Sequence, residues 1–413
     1  MTRTRNMKTG ATVAVVIGML AFTQWALQTA SLAQARATVQ APTYQVDPLW
    51  PKPLPNNWLF GSVVGLSVDS RDHVWVVHRG NLAPKEGSMQ AGSNGMQHPG
   101  SGTPPNPGDT HPISELCCQA APPVLEFDPA GNLVSSWGGP GAGYEWPAPI
   151  ELAGVKFLWS MHGITVDGKD NVWLAGNQGN TVLKFTRQGK FLMQIGKNGQ
   201  SKGNADTANL GRPAEIEVDL AANEAYVADG YGNRRVIVYD ADTGKFKRMW
   251  GAYGKPPSDA NPGPYDPDKP ISQSFATVHC AQIANDGLVY VCDREHDRIQ
   301  VFRKDGTFVK ETQVAKRTLG DGVVFDLAFT KDAPQKYLLL ADGANHRIWT
   351  LLRDPLQVIS HFGNGGRQPG QFYAPHNLAL DSKGNLCTVE TYEGKRLQKF
   401  SYKGIGAVPG TTN

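Results

Sequence analysis

Hydrophobic and polar residues alternate along this chain in a unit that occurs six times. Each copy has an alternating apolar run, a small turn and a second alternating run. Alternation with a period of two is typical of β-strands that bury one face. The copies begin at Val63, Met161, Pro213, Val278, Val324 and Pro375. The repeat therefore predicts six small antiparallel sheets.

Most copies continue with a third run that begins near a basic residue, and then a fourth run. A four-stranded sheet alone leaves edges and a face without partners, so the six sheets should pack radially as propeller blades. The sixth copy is followed only by SYKGIGAVPGTTN and lacks a fourth run. We therefore predict an all-β, six-bladed β-propeller whose ring is closed by an N-terminal strand at residues 44–50.

The connections between the predicted strands have two lengths. Turns between first and second strands, and between third and fourth strands, are short. The remaining connections are long and should all emerge on one face, which favours a binding site there. The longest, residues 81–122, is rich in Gly and Pro and is either an ordered site loop or a disordered excursion.

The first 35 residues have the pattern of a secretory signal peptide. Three basic residues precede an apolar run at residues 11–22, and the segment ends in the small-x-small sequence Ala33-Gln34-Ala35. We expect cleavage after Ala35 and a single secreted or periplasmic domain at residues 36–413. The alternative, a membrane anchor, would need an apolar run of about 20 residues.

Composition and charge narrow the possible partners. The chain has 46 Gly and 29 Pro among 413 residues, which favours turns over long helices. Three of its 40 Lys and Arg residues lie in the signal segment, so 37 remain against 37 Asp and Glu. A formally neutral mature chain offers no basic surface for nucleic acid or anionic lipid. We expect a monomer that binds a small-molecule or peptide substrate.

One position near the start of each first strand stands out. Counting back from the Asp that closes this strand gives the occupants Val64, His162, Ala214, His279, Asp326 and His376. Histidine therefore occurs in blades 2, 4 and 6. Because first strands line the channel of a propeller, the three imidazoles should converge on its axis. Three imidazoles with an open position are typical of catalytic zinc or another divalent transition metal. The alternative is three channel histidines bonded to water and carbonyl groups.

At these residues the chain resembles the peptidyl-α-hydroxyglycine α-amidating lyases, and over about residues 60–403 it resembles the NHL-repeat propellers. The resemblance rests on MHGITVD, PHNLALD, VADGYGNRR, VCDREHDRIQVF and VVHRG. It implies a six-bladed propeller with zinc on His162, His279 and His376. It also implies that Tyr231 is the base and Arg79 an essential arginine.

The resemblance also implies a structural Ca²⁺, held partly by an Asp where this chain has Asn377. An amide oxygen is a weaker calcium ligand than a carboxylate. The chain departs from the family at two further positions, with Ala374 in place of a Met and Gly232 in place of a Cys. The resemblance therefore predicts the fold and the metal site of this chain more strongly than it predicts the substrate.

Arg79 and Tyr231 both end second strands, so they should open onto the long-loop face beside the histidines. A metal would polarise a substrate oxygen, Arg79 would bind a carboxylate, and Tyr231 would remove a proton. This set suits cleavage of a carbinolamide to an amide and glyoxylate. The structural alternatives are blade packing for Tyr231 and a loop salt bridge for Arg79. Tyr392 holds the position of Tyr231 in blade 6 and is a further candidate.

Other charged residues are interpreted as scaffold. An Asp ends the second strand of blades 3, 4 and 5, and an Arg begins the third strand five or six residues later. These residues are Asp229, Asp293 and Asp342, with Arg235, Arg298 and Arg347. We predict that each Asp pairs with its Arg across the hairpin end.

Five cysteines remain after the signal segment. Cys280 and Cys292 lie six residues on either side of the turn at Asp286, so they should face each other and can bond. Cys117 and Cys118 are adjacent and can form a vicinal ring. Cys387 lies inside a strand and is expected to be a buried thiol.

Three functions remain open from the sequence. The first is a secreted, zinc-dependent carbon–nitrogen lyase of the amidating type. The second is a metal-dependent hydrolase or lactonase, and the third is a non-catalytic propeller that binds a ligand. The histidine pattern favours the first two, since a binding module needs no axial imidazoles. Tyr231 with Arg79 favours the lyase, because a carboxylate base is more usual in a hydrolase.

Overall fold

A computed structural model describes most of the chain. The described residues are 38–79, 119–147, 150–152, 155–157, 161–392 and 394–411. The expected signal peptide, most of the 81–122 insertion and the Cys117–Cys118 pair lie outside them. Among the helices in the described part, none has the length and apolar character needed to cross a membrane.

Six four-stranded antiparallel sheets form the body of the molecule. β1 is Thr38–Asp47, and β2 is Trp58–Leu59. Blade 1 contains β3 (Ser62–Val68), β4 (Val74–Arg79), β6 (Val124–Phe127) and β7 (Leu133–Trp137), with β5 (Gln119–Ala120) paired to β2 outside it. Blade 2 follows a small hairpin of β8 (Ile150–Leu152) and β9 (Val155–Phe157), and contains β10 (Ile164–Val166), β11 (Asn171–Gly176), β12 (Thr181–Thr186) and β13 (Phe191–Ile195).

The remaining blades have the same order of strands. Blade 3 contains β14 (Glu215–Asp219), β15 (Glu224–Asp229), β16 (Arg235–Asp240) and β17 (Phe246–Trp250). Blade 4 contains β18 (Val278–Ile283), β19 (Val289–Asp293), β20 (Arg298–Phe302) and β21 (Phe308–Gln313). Blade 5 contains β22 (Val324–Phe329), β23 (Tyr337–Asp342), β24 (Arg347–Leu352) and β25 (Gln357–Phe362). Blade 6 contains β26 (Pro375–Leu380), β27 (Leu386–Glu390) and β28 (Arg396–Pro409). Short 3₁₀ turns lie at Asn177–Gly179, Ala252–Gly254 and Arg294–His296.

The N-terminal strand completes blade 6. β1 pairs antiparallel with β28, so the sheet has the order β1-β28-β27-β26. Tyr44 lies opposite Tyr402, and Asp47 lies opposite Lys399. The predicted ring closure is therefore confirmed, although the strand runs from residue 38 to 47 rather than from 44 to 50.

The first strands of the six blades contact one another around a closed ring, in the order β3, β10, β14, β18, β22, β26 and back to β3. Apolar side chains fill the space between neighbouring blades. Trp173 of blade 2, for example, belongs to one buried cluster with Ile216 and Val227 of blade 3. Burial between blades supplies the main stabilisation, because each sheet shields the face of the next. The predicted all-β, six-bladed propeller is confirmed.

Two of the predicted hairpin-end ion pairs form. Arg235 Nε lies 2.9 Å from Asp229 Oδ2, and Arg298 Nη2 lies 2.7 Å from Asp293 Oδ2. All four side chains are fully buried. Each pair fixes a third strand to the end of its second strand.

Blade 5 departs from this prediction. Asp342 accepts hydrogen bonds from Asn345 and from Trp349 Nε1, the latter at 2.7 Å. Arg347 Nε donates to the Asn345 carbonyl oxygen instead. In blade 5, Asn345 and Trp349 therefore donate to the Asp carboxylate in place of the arginine of blades 3 and 4.

The cysteine predictions hold where the structure describes them. Cys280 and Cys292 are bonded, with Cα atoms 4.9 Å apart on the directly paired strands β18 and β19. Cys387 is a buried free thiol, and burial raises its pKa to about 12. It is therefore protonated and unreactive at neutral pH.

Candidate metal centre

A local irregularity at the start of the first strands positions the residues of the channel. In blades 4 and 6 the pairing with the second strand skips one residue, which is His279 in β18 and His376 in β26. The same irregularity occurs at Val64 in blade 1. A bulge leaves one residue unpaired and redirects its side chain.

In blade 5 the skipped residue is Phe325, since pairing continues from Val324 to Asp326. The predicted equivalence of Asp326 with the histidines is therefore wrong by one residue. Blade 5 lacks the closing Asp used for the alignment, and its turn at residues 330–336 is longer than residues 284–288 of blade 4. Counting from the turn consequently lost the register.

The three predicted histidines meet at the centre of the ring. The ring centroids of His162, His279 and His376 are 4.7, 4.8 and 4.8 Å apart, which makes a nearly equilateral triangle. One ring nitrogen from each lies within 4.8 Å of the other two. The residues are 1–3% exposed. Alternate blades of a six-fold ring produce this threefold arrangement.

Hydrogen bonds orient each imidazole. His162 Nδ1 lies 2.9 Å from the Ala214 carbonyl oxygen, and His279 Nδ1 lies 2.5 Å from that of Phe325. His376 Nδ1 lies 2.5 Å from Asn377 Oδ1. Since these oxygens only accept, each Nδ1 is the protonated nitrogen and each Nε2 carries a lone pair. Such contacts behind a ring fix the tautomer that metal binding requires.

The environment keeps the three imidazoles neutral. Burial, followed by the neighbouring histidines and Arg79, holds the pKa of His162 well below its usual value. Burial likewise lowers the pKa of His279 well below its usual value and that of His376 to about 3. Neutral imidazole is the form that coordinates a metal.

Tyr231 joins the histidines at the centre. Its hydroxyl oxygen lies 2.9 Å from His162 Nε2 and 3.1 Å from His279 Nε2. Arg294 Nη1 donates to the same oxygen at 2.9 Å. Tyr231 therefore contacts the lone-pair side of two imidazoles.

Arg294 is a site residue that sequence reasoning missed. Its side chain is buried, and its guanidinium lies over the rings of Tyr231 and Phe325 at 5.2 and 4.9 Å. Burial opposes its charge, but Tyr231 and Asp321 outweigh this effect and raise its pKa. A signal for it was present, because Arg294 follows the residue paired with Val278, just before the skipped His279. Arg79 likewise follows the residue paired with Val63, just before the skipped Val64.

Arg79 also reaches the centre. Its Nε donates to the Met161 carbonyl oxygen at 2.9 Å, beside His162. Burial lowers its pKa to about 10, and the neighbouring Tyr231 hydroxyl acts in the opposite direction. Arg79 therefore remains cationic at neutral pH, on the opposite side of the ring from Arg294.

Tyr392, the blade-6 counterpart of Tyr231, has a different partner. Its hydroxyl donates to Asp321 Oδ2 at 2.6 Å, and Asp321 Oδ1 lies 3.6 Å from Arg294 Nη2. Burial and the Asp321 hydrogen bond raise the pKa of Tyr392. Tyr392 thus belongs to the outer support of Arg294.

The donor set fits a transition metal. Three lone-pair nitrogens of fixed tautomer converge in a buried pocket, and Tyr231 lies on the side where a fourth ligand would enter. This is the pattern of a metal site that keeps a position open.

Calcium fits less well at the position expected for it. Asn377 Oδ1 accepts from His376 Nδ1, and Asn377 Nδ2 donates to Asp326 Oδ2 at 3.2 Å. The Asn377 amide oxygen therefore already accepts a hydrogen bond from a histidine, and the neighbouring Asp326 carboxylate accepts one from the same amide. We assign no calcium to it.

Two other groups of possible ligands in the described residues are already engaged. Asp69, His73 and Glu126 surround the guanidinium of Arg187, which contacts all three. In the group of Glu215, Cys280 and Asp326, the cysteine is in the disulfide. Of these three groups, the histidine triad is the one that is engaged in neither an ion pair nor a disulfide.

Comparison with known proteins agrees with this architecture. The chain is 27% identical over 383 residues to peptidyl-alpha-hydroxyglycine alpha-amidating lyase 1 of Drosophila melanogaster, which covers 88% of this chain and 60% of that protein. It is 26% identical over 299 residues to NHL repeat-containing protein 3 of Mus musculus, covering 68% and 72%. The chain is a six-bladed propeller related in sequence to amidating lyases and NHL-repeat proteins. No protein-family model matches it.

A solved structure shows the same fold. A protein of unknown function from Bacteroides thetaiotaomicron superposes with a TM-score of 0.50 at 13% identity, covering 88% of this chain and 77% of that one. This likeness concerns the fold alone.

Proposed function

We propose that this protein is a secreted, zinc-dependent carbon–nitrogen lyase that cleaves an α-hydroxyglycine-type carbinolamide to an amide and glyoxylate. The observation that carries the proposal is the meeting of Tyr231 with two histidines of the triad at 2.9 and 3.1 Å. The sequence relationship to the amidating lyases supports it, although the chain spans only 60% of the length of the Drosophila protein. The disulfide and the signal-like segment support secretion.

His162, His279 and His376 would hold the zinc ion through Nε2. Bound there, the metal would supply Lewis-acid polarisation of a substrate oxygen. The contacts of the three Nδ1 atoms would keep the imidazoles in place during turnover.

Tyr231 would move the proton. In the substrate, the carbinol O–H loses its proton as the carbon–oxygen double bond of glyoxylate forms and the C–N bond breaks. The amide nitrogen then needs a proton, and Tyr231 would return the one that it took. Arg294 donates to the phenolic oxygen and would hold it when it is negatively charged.

Arg79 would bind the carboxylate, because the terminal nitrogens of Arg294 contact Tyr231 and Asp321. Arg79 and Arg294 approach the centre from opposite sides, and both are cationic at neutral pH. A guanidinium recognises a carboxylate through two parallel hydrogen bonds. The substrate class is therefore an N-acyl-α-hydroxyglycine with a free carboxylate.

Product analysis tests the proposal. Zinc-loaded protein is incubated with N-benzoyl-α-hydroxyglycine, and benzamide and glyoxylate are quantified by liquid chromatography. The proposal predicts equal amounts of both, formed much faster than without protein. A simple aryl ester and a lactone serve as parallel substrates. Turnover of the ester or lactone alone would favour a hydrolase, and turnover of none would favour a binding propeller.

A further inference from the structure

A second cavity lies between blades 5 and 6, away from the histidines. Its volume is about 470 Å³. Four segments enclose it: the N-terminal strand β1, the first turn of blade 5, the first turn of blade 6 and the strand β28. These turns follow the ends of β22 and β26, whereas Phe325 and His376 lie near the starts of the same strands. The cavity therefore opens on the face opposite to the metal centre.

Aromatic and aliphatic side chains form the wall of the cavity. Tyr44 and Tyr402 lie with ring centroids 5.9 Å apart, and Tyr337, Leu380 and Ile405 complete the apolar lining. Tyr402 is 36% exposed and Ile405 is 49% exposed. An apolar lining of this size suits a flat, ring-containing molecule.

Three lysines surround the apolar wall. Lys331, Lys336 and Lys383 all line the cavity, and among the described residues none of them forms an ion pair with a carboxylate within 4.0 Å. Asp332 is the acidic residue of the lining. The lining residues thus carry a formal charge of two positive units, although Asp72 lies near Lys383 and Glu217 near Lys331 outside the lining. This balance of charge favours an anionic ligand.

Tyr44 adds an unsatisfied polar group. Its hydroxyl is shielded from solvent and has no hydrogen-bond partner in the described part of the chain. Burial raises the pKa of this hydroxyl, so it remains a donor at neutral pH. A buried donor without a partner is unfavourable.

We propose that this cavity binds a small amphipathic anion, with an aromatic ring system against the tyrosines and an acidic group toward the lysines. Because Tyr44 belongs to β1 and Tyr402 to β28, the ligand would bridge the strand pair that closes the ring. Binding therefore stabilises the closed ring as well as filling the cavity.

The test uses 8-anilinonaphthalene-1-sulfonate, which has an aromatic body and one sulfonate. Isothermal titration is performed on the full mature chain at physiological ionic strength. The control variant K190Q/K245Q removes the same charge from exposed lysines in blades 2 and 3. We expect one binding site in the wild type and in the control. We expect at least about fivefold weaker binding in K331Q/K383Q, and weaker binding again in Y402A.

Two further measurements make the test specific. The uncharged analogue N-phenyl-1-naphthylamine should bind wild type and K331Q/K383Q equally, because it lacks the sulfonate. The sulfonate should raise the thermal midpoint of wild type and control more than that of K331Q/K383Q. Absence of saturable binding up to about 1 mM overturns the proposal, as does equal affinity of the sulfonate for wild type, K331Q/K383Q and Y402A.

Discussion

Blades 2, 4 and 6 have a histidine at the start of the first strand, and blades 1, 3 and 5 have none at that position. The former place His162, His279 and His376 there, while blades 1 and 5 place Val64 and Phe325 at the skipped residue of the strand. The skipped residue occurs in blades of both sets, namely blades 1, 4, 5 and 6, and its side chain is buried in each of them. The choice of histidine in every second blade therefore distinguishes the candidate metal centre from ordinary packing.

The scaffold does not follow this alternation. Buried Asp–Arg pairs occur in blade 3, which has no histidine at this position, and in blade 4, which has one. Stability and chemistry are thus encoded at different positions of one repeat. Substitutions at each kind of position test that separation.

The largest effect should follow removal of one histidine. His376→Ala leaves two imidazoles, so bound metal should fall from about one per chain to less than about a tenth, with activity reduced at least about a thousandfold. Val64→Ala, the matched change in blade 1, should keep metal and activity. Equal metal loss in both variants would contradict the conclusion that the histidines, and not this position in every blade, bind the metal. Plasma mass spectrometry and the glyoxylate assay give the two readouts.

Breaking a scaffold pair should destabilise either kind of blade. Arg235→Met and Arg298→Met each leave a buried carboxylate without its partner, so each should lower the free energy of unfolding by roughly 3–5 kcal/mol. Asp242→Asn, in an exposed pair with Lys169, should change it by less than about 1 kcal/mol. Urea denaturation followed by fluorescence measures the change. A large loss confined to one of the two blades would show that the scaffold is not shared.

Tyr231→Phe should separate chemistry from structure. Phenylalanine keeps the ring and removes only the hydroxyl, so kcat should fall about a hundredfold while metal content and the unfolding midpoint stay near wild type. Tyr392→Phe, the same change in blade 6, should reduce kcat by less than about threefold. Full activity of the Tyr231 variant would remove its assignment as the base and favour a hydrolase.

Arg79→Lys should affect substrate binding. Lysine keeps the charge but loses the two-pronged geometry, so KM for a carboxylate-bearing substrate should rise about tenfold with kcat less affected. A substrate with a primary amide in place of the carboxylate should show little difference between the two proteins. A similar rise for both substrates would indicate that Arg79 has a structural role.

The smallest effect on activity is expected at Glu217, in the channel below the histidines. Burial, followed by Asp326 and Asp219, raises the pKa of Glu217 to about 8, while Lys331 acts in the opposite direction. A raised carboxyl pKa means that the folded state holds a proton that the unfolded state has lost. Stability should therefore fall as pH rises from about 4.5 to about 8. Glu217→Gln should flatten this part of the stability curve, and an unchanged slope would contradict the assignment.

Most of the fold could be predicted from the sequence because the repeat is local and periodic. The number of copies predicted six blades, and the absence of a fourth run in the sixth copy predicted the N-terminal closing strand. The Cys280–Cys292 bond could be predicted because the two cysteines lie at equal distances along the chain from the turn between them. The positions of the histidines could be predicted because they lie a fixed number of residues before the first turn of each blade. This count is reliable in blades whose first turns have the same length.

The parts that failed depend on exceptions to the repeat or on tertiary contacts. Because the first turn of blade 5 is longer, counting from it identified Asp326 instead of Phe325. In the same blade, local donors such as Trp349 take the place of Arg347 at the Asp342 carboxylate. Arg294 could have been found from its match with Arg79. Tyr392 contacts Asp321, which in turn contacts Arg294. These residues come from three separate blades or loops, so no local sequence pattern indicates that they interact.

Metal content of the protein purified without added metal tests the assignment of the three histidines directly. We expect about one zinc ion per chain in the wild type, and none in the folded variant with His162, His279 and His376 all changed to Ala. Circular dichroism should show the same β-sheet content in both proteins. A triple variant that still carries one metal ion per chain, or a fully active wild type without metal, would contradict the assignment of the three histidines.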